Sequence, residues 1–227
     1  MPRAKKEAAP KQPPYELHTL FPTNVLTRDW ENKKVLNAKL KEEIWRKRAL
    51  DPDGLYRSNL AGTWHSNDYL LTETGEAGEH LKQMFAQAFV EWAGVHGMAK
   101  DAETRLTLNA WAMIYSDRGY ATVHTHPNCH ASAVYYVDDT TPDSQITMAT
   151  GVKLRAGDIE FINPQYRDFQ LPNMSLNPSA IMSFKAGRML VFPSNLAHHV
   201  HPIIGPGERI AIACNCTFHP VKKETKT

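Results

Sequence analysis

A short run inside residues 120–137, His124-Thr125-His126-Pro127, has the composition and spacing to do chemistry. In an extended chain, side chains two residues apart leave the same face of the backbone. The imidazoles of His124 and His126 can then reach one metal ion. Some seventy residues on stands a second cluster, His198-His199-Val200-His201, behind an apolar strand-like run, Met189-Leu190-Val191-Phe192. Six of the eleven histidines fall at 124, 126, 130, 198, 199 and 201. Histidines that serve only packing or the surface would be scattered more evenly, so the clustering points to metal ligation.

Arg209, eleven residues after His198, opens an alternating segment over 209–218. A period of two puts Arg209, Ala211, Ala213, Asn215 and Thr217 on one face, and Ile210, Ile212, Cys214, Cys216 and Phe218 on the other. The second face is apolar and needs a covering layer. The first is small and polar around a lone guanidinium, which leaves room for an anion. A guanidinium is a planar fork that matches a carboxylate through two parallel hydrogen bonds. From residue 105 the same period recurs, with Asn109, Trp111 and Tyr115 on one side and Leu108, Ala110, Ala112 and Ile114 on the other. The first side suits a pocket wall, where aromatic bodies give shape and polar tips fix orientation. Alternatively, Trp111 and Tyr115 fill the interior of a barrel.

These residues resemble a member of the 2-oxoglutarate and iron(II)-dependent dioxygenase superfamily, within it a microbial and phage group. The motifs that carry the likeness are His124-Thr125-His126-Pro127, Ser132-Ala133-Val134-Tyr135-Tyr136-Val137 and Phe192-Pro193-Ser194-Asn195-Leu196-Ala197-His198. Ala61-Gly62-Thr63-Trp64-His65-Ser66 and Glu208-Arg209-Ile210-Ala211-Ile212 also fit, and the likeness spans about 20–218. It implies an α+β chain with a double-stranded β-helix (jelly-roll, cupin-like) core and buttressing N-terminal helices. It also implies iron(II) and 2-oxoglutarate as cofactors, dioxygen as co-reactant and hydroxylation of an unknown primary substrate. His124, His126 and His198 would hold the metal. Arg209, with Asn109, Trp111, Tyr115 and Asn215, would line the cosubstrate pocket. The chain departs from the superfamily at one point: histidine stands where most members place the carboxylate of the facial triad. Asp117, Asp158 and Glu160 remain open as a carboxylate ligand, and His130 and His201 as groups supporting the metal ligands.

The elements that must position these groups come before and between them. Residues 1–14 are Lys, Ala, Gln and Pro with little to bury, and read as a disordered tail; 15–227 read as one domain. Residues 15–25 read as extended. Asp29 is placed to cap a helix over 31–49 with Val35, Leu36, Leu40 and Ile44 on one face. Asp51-Pro52-Asp53-Gly54 reads as a turn. A second helix over 77–95 carries Leu81, Met84, Phe85, Ala88 and Trp92 at helical spacing, with Gly97 past its end. Helical support thus covers about 29–97 and the jelly-roll, of about eight strands, 105–219. Residues 145–154 read as an extra hairpin arm. Residues 163–185 read as a long irregular stretch. There the resemblance makes Gln165, Tyr166 and Arg167 candidates for substrate contact, and Tyr166, Arg167 and Phe169 are expected to lie over the pocket mouth.

Composition bounds the rest. At 227 residues, 42% hydrophobic and 22% charged, this is an ordinary globular chain, and a net charge of +2 is too small to argue for nucleic acid or a membrane surface. No apolar run approaches the roughly 18 residues that span a bilayer, and no secretory leader is legible. Three cysteines, two of them on the apolar face of 209–218, fit a reduced, cytoplasmic setting. The oligomeric state stays open, a homodimer included. Two rival functions remain: a non-catalytic or zinc-filled jelly-roll binding protein, and a three-histidine dioxygenase that takes no 2-oxoglutarate. Arg209 speaks against both, since neither needs a carboxylate clamp. Ser-His-Asp hydrolysis has no support, because Ser194 lacks a strand–elbow–helix setting.

Overall fold

A computed structural model of the chain describes residues 22–57, 62–98, 103–139, 145–147, 151, 153–165 and 178–221. The tail at 1–14, the segment 15–21 and the pocket-mouth candidates Tyr166, Arg167 and Phe169 lie outside the described residues. The elements run β1 (Leu26–Asp29), α1 (Lys34–Leu50), β2 (Thr63–His65), α2 (Leu70–Glu73), α3 (Gly75–Val95), β3 (Thr104–Tyr115), β4 (Ala121–His124) and β5 (Ala131–Asp139). There follow β6 (Gln145–Thr147), β7 (Lys153–Arg155), β8 (Ile159–Ile162), β9 (Ser179–Met182), β10 (Arg188–Pro193), β11 (His198–Val200) and β12 (Arg209–Pro220).

Six strands form a large sheet in the order β1-β10-β5-β12-β3-β2, and four form a small one in the order β4-β11-β8-β9. The two faces of β12 explain why the sheets stack. Ile210, Ile212, Cys214 and Cys216 are buried under the helices, in one cluster with Leu40, Ile44, Phe85 and Phe89. The opposite face turns Ala211 into a second cluster between the sheets, with Tyr136, Phe161, Phe184 and Phe192. Strand β3 divides likewise, with Ala110, Ala112 and Ile114 toward the helices. This is the jelly-roll with buttressing helices that the resemblance implied.

On α3, Leu81, Phe85, Ala88 and Trp92 repeat at three and four residues and are buried, as periodicity predicts. Leu81 and Phe85 each contribute about 1.5–3 kcal/mol by leaving water. Gly97 follows the helix with φ +89°, a left-handed conformation that glycine adopts without strain. Helix α1 is pinned to β5 by polar contacts: the Tyr135 hydroxyl donates to Asn37 Oδ1 at 2.6 Å, and Asn37 Nδ2 to the Val137 carbonyl at 3.0 Å.

Several expectations need correction. Asp29 does not cap α1; it ends β1, and its carboxylate is held at about 2 chiefly by a hydrogen bond from Arg188. Val35 is 71% exposed, because neighbours on a helix point about 100° apart and Leu36 takes the inward position. The stretch 163–185 is not irregular throughout, since β9 pairs antiparallel with β8. The arm at 145–154 does form, as the two-stranded β6–β7 hairpin. The free cysteines are unpaired, Cys214 and Cys216 being core residues. Among the described residues no helix is long and apolar enough to cross a membrane.

Candidate metal centre

His124 closes β4 and His198 opens β11, and the ladder sets them directly opposite each other. His126 lies just past the end of β4, where its backbone N–H donates to the Ser194 carbonyl at 2.8 Å. The Ser194 hydroxyl in turn donates to the Cys129 carbonyl at 2.6 Å. The Phe192–His198 turn and the His-x-His-Pro segment thus brace each other. Ring centroids are 4.3 Å apart for His124 and His198, and 5.2 Å for His126 with each of the others. One ligand atom from each lies within 4.8 Å of the other two.

Hydrogen bonds choose which nitrogen faces inward. His124 Nδ1 pairs with the Thr122 carbonyl at 2.7 Å and His198 Nδ1 with the Leu196 carbonyl at 2.8 Å. A carbonyl only accepts, so Nδ1 carries the proton and Nε2 keeps its lone pair. His126 Nε2 lies 3.3 Å from His198 Nε2, and the His126 ring also hydrogen-bonds the Asn215 side chain. Burial lowers His126 to about 4 and His198 to about 3, and pushes His124 down as well. All three are neutral at pH 7, as ligation requires.

None of the acids left open joins them. Asp117 accepts from the Gly205 N–H at 2.9 Å, and Asp158 accepts from the Ser183 hydroxyl at 3.0 Å. Glu160 lies against His199 and His201. Among the described residues the centre is three histidines, and His201 turns away from it. His130 also stands apart, its Nδ1 accepting the Phe218 N–H at 3.0 Å.

The centre opens on a cavity of about 380 Å³ between the sheets, lined by all three histidines and by Trp111, Tyr115, Arg209 and Asn215. Asn109 is exposed and is not among the lining residues. Gln165 is exposed as well. Arg209 is 1% exposed. Its Nη1 donates to the Gly157 carbonyl at 2.8 Å, and its guanidinium lies 4.3 Å from the Tyr115 ring. Its Nε has no hydrogen-bond partner among the described residues, nor does the Tyr136 hydroxyl, whose pKa burial raises to about 12. Trp111 is stacked between His65 (5.6 Å) and His126 (5.7 Å).

Sequence reasoning had not given roles to Tyr136, His65 or Arg57, all of which line the cavity. Tyr136 had a legible signal, since Val134 and Tyr136 share a strand face. His65 had only its place in the 61–66 motif and Arg57 had none, because β2 and the segment before it meet the cavity only through the sheet.

Known proteins share parts of this sequence and fold. A sequence model of the family described as "Putative 2OG-Fe(II) oxygenase" matches residues 109–215. Residues 109–215 are thus similar to the 2OG-Fe(II) oxygenases. The match takes in His124, His126, His198 and Arg209 together. No curated protein matches the chain. Among solved structures, a Pseudomonas putida prolyl-4-hydroxylase is similar at 14% identity and TM-score 0.59, covering 88% of this chain and 94% of that one. HygX from Streptomyces hygroscopicus, with nickel, 2-oxoglutarate and hygromycin B bound, is similar at 13% and 0.56, covering 86% and 83%. The carbocyclase SnoK of nogalamycin biosynthesis follows at 8% and 0.61, covering 86% and 79%. At such identities the likeness is one of fold, and the oxygenase jelly-roll is the fold they share.

Proposed function

We propose that the chain is an iron(II) oxygenase that couples decarboxylation of 2-oxoglutarate to hydroxylation of a primary substrate. The observation that carries this reading is Arg209. A guanidinium buried to 1% exposure, with an unpartnered Nε, faces the same cavity as three convergent neutral imidazoles. A buried charged donor left unpaired is expensive, and a bound carboxylate relieves it. A zinc-filled binding protein or a dioxygenase without 2-oxoglutarate has no use for that group.

The residues present fit the cofactors. The Nε2 atoms of His124, His126 and His198 would hold the metal on one side and leave its other positions to ligands. The guanidinium of Arg209 would take the distal carboxylate of 2-oxoglutarate, with the Tyr136 hydroxyl beside it. Iron(II) chelated by 2-oxoglutarate supplies the oxidising power that breaks a substrate C–H bond with dioxygen. The chain's own contribution is placement. Carbonyl bonds at Nδ1 hold two imidazole rings in orientation. The Trp111 stack with His65 and His126 stiffens that wall of the cavity. Phe192 and Ile159 keep the floor apolar, which strengthens electrostatic contacts inside.

Anaerobic titration of the iron(II)-loaded chain with 2-oxoglutarate tests the reading. The weak visible charge-transfer band of the chelate should grow and saturate at one equivalent. Tight metal binding without that band overturns the assignment.

A further inference from the structure

The small sheet carries a second group of ligating side chains on its other face. His198, Val200 and Ile159 line the cavity, whereas His199, His201 and Glu160 do not. Alternation along β11 and β8 sends these three to the opposite side. His199 stands directly opposite Glu160 in the ladder, and His201 follows two residues on. The Nε2 atoms of His199 and His201 lie 3.1 and 2.8 Å from one and the same oxygen, Glu160 Oε2. Their rings meet edge to face with centroids 4.7 Å apart. A ligand atom from each residue lies within 4.8 Å of the other two.

Three details distinguish this from a surface ion pair. His201 is buried, 8% exposed, and Glu160 and His199 are partly buried. The His201 Nε2 is itself buried and makes no well-directed hydrogen bond among the described residues, although the Glu160 oxygen is close. Finally, Glu160 Oε1 accepts the Ser179 hydroxyl from β9, which turns the carboxylate and leaves Oε2 facing both imidazoles. Two nitrogens and one oxygen so arranged could hold a metal ion. In a tetrahedral zinc site with bonds of about 2.0–2.2 Å, ligand atoms stand roughly 3.3 Å apart. The two separations from Glu160 Oε2 need only a small expansion to reach that.

We propose that Glu160, His199 and His201 form a second divalent-metal site, for which zinc(II) is the fitting ion. Two imidazoles and one carboxylate suit zinc, and a water would complete the tetrahedron. The ion would clamp β8 to β11, the strand that begins with His198, and so hold one wall of the first centre from behind. This inference does not rest on the oxygenase reading.

The test is metal stoichiometry on the full chain. After chelator treatment, the protein is dialysed against zinc(II) and the bound metal counted by atomic emission, with cobalt(II) absorption reporting tetrahedral geometry. The wild-type chain should hold two equivalents. Glu160→Gln and His199→Ala should each hold one, and His126→Ala should also hold one, from the other centre. The double variant Glu160→Gln/His126→Ala should hold none. Saturating zinc should raise the unfolding midpoint of His126→Ala but not of the double variant. One equivalent in the wild-type chain that Glu160→Gln or His199→Ala still holds overturns the proposal. A second equivalent that survives both Glu160→Gln and His199→Ala overturns it too.

Discussion

His198 faces His124 across the β11–β4 ladder, in register, with ring centroids 4.3 Å apart. Two of the three proposed metal ligands are therefore placed by backbone hydrogen bonds, and the third, His126, by its N–H bond to Ser194. Replacing His126 by Ala should abolish the charge-transfer band of the iron(II)–2-oxoglutarate chelate while leaving the far-ultraviolet circular dichroism unchanged. A band of full intensity in that variant would show that His126 is no ligand and would bring an acid back into consideration.

Arg209→Ala addresses the cosubstrate. Breaking one side of a buried charged pair costs roughly 3–5 kcal/mol, part of it recovered when water enters the space. At about 1.4 kcal/mol per decade, 2-oxoglutarate should bind at least about a hundredfold more weakly. Iron(II) affinity should stay nearly unchanged, since Arg209 is no ligand. Calorimetric titration of the two variants of the complex, with and without 2-oxoglutarate, separates these effects; unaltered cosubstrate affinity removes the main support for the oxygenase.

Gly157 is the unobtrusive partner of that arginine. Its φ is +82°, and an added Cβ would come within 2.5 Å of Ile203 Cδ1 and 3.1 Å of Phe184 Cε1. The left-handed backbone alone disfavours Ala by about 1–2 kcal/mol. Gly157→Ala should lower the urea midpoint correspondingly. It should also weaken 2-oxoglutarate binding, because the Gly157 carbonyl that receives Arg209 Nη1 must shift. A stable Gly157→Ala protein with normal cosubstrate affinity would dismiss this link.

His65 gives a pH dependence. Burial beside Trp111 lowers it to about 4 from an ordinary value near 6.5. Between those values the unfolded chain binds a proton that the native His65 does not. Stability should therefore be level above pH 6.5 and fall as the pH drops toward 4, by up to about 3 kcal/mol from this residue. His126 and His198, lowered for the same reason, add to the slope. In chelator-treated protein, His65→Gln should lose less stability between pH 7 and 5 than the wild type. Equal losses in urea unfolding would mean that His65 is not buried neutral.

Much of this was legible in the chain because strands and helices repeat with fixed periods. Alternation along β12 separated Arg209 and Asn215 from Ile210, Ile212 and Cys214, and both faces lie where that pattern put them. The same holds for the buried stripe of α3 and for β3 except at Asn109, which is exposed and does not reach the cavity. Local signals that a larger context could override misled: Asp29 was drawn to Arg188 from a distant strand, and β9 formed because β8 offered an edge.

The residue types, and the pairing of His124 with His126, were determined by sequence, since a strand's period of two acts over neighbours. What only the tertiary structure decided was which partners arrive from afar. Register between β4 and β11 chose His198 and sent His199 and His201 to the other face with Glu160. The stacking of His65 on Trp111, and the Gly157 carbonyl under Arg209, likewise depend on loops whose ends are joined through the sheets. No local periodicity records such contacts, because a one-residue slip in register would exchange every side chain between the two faces.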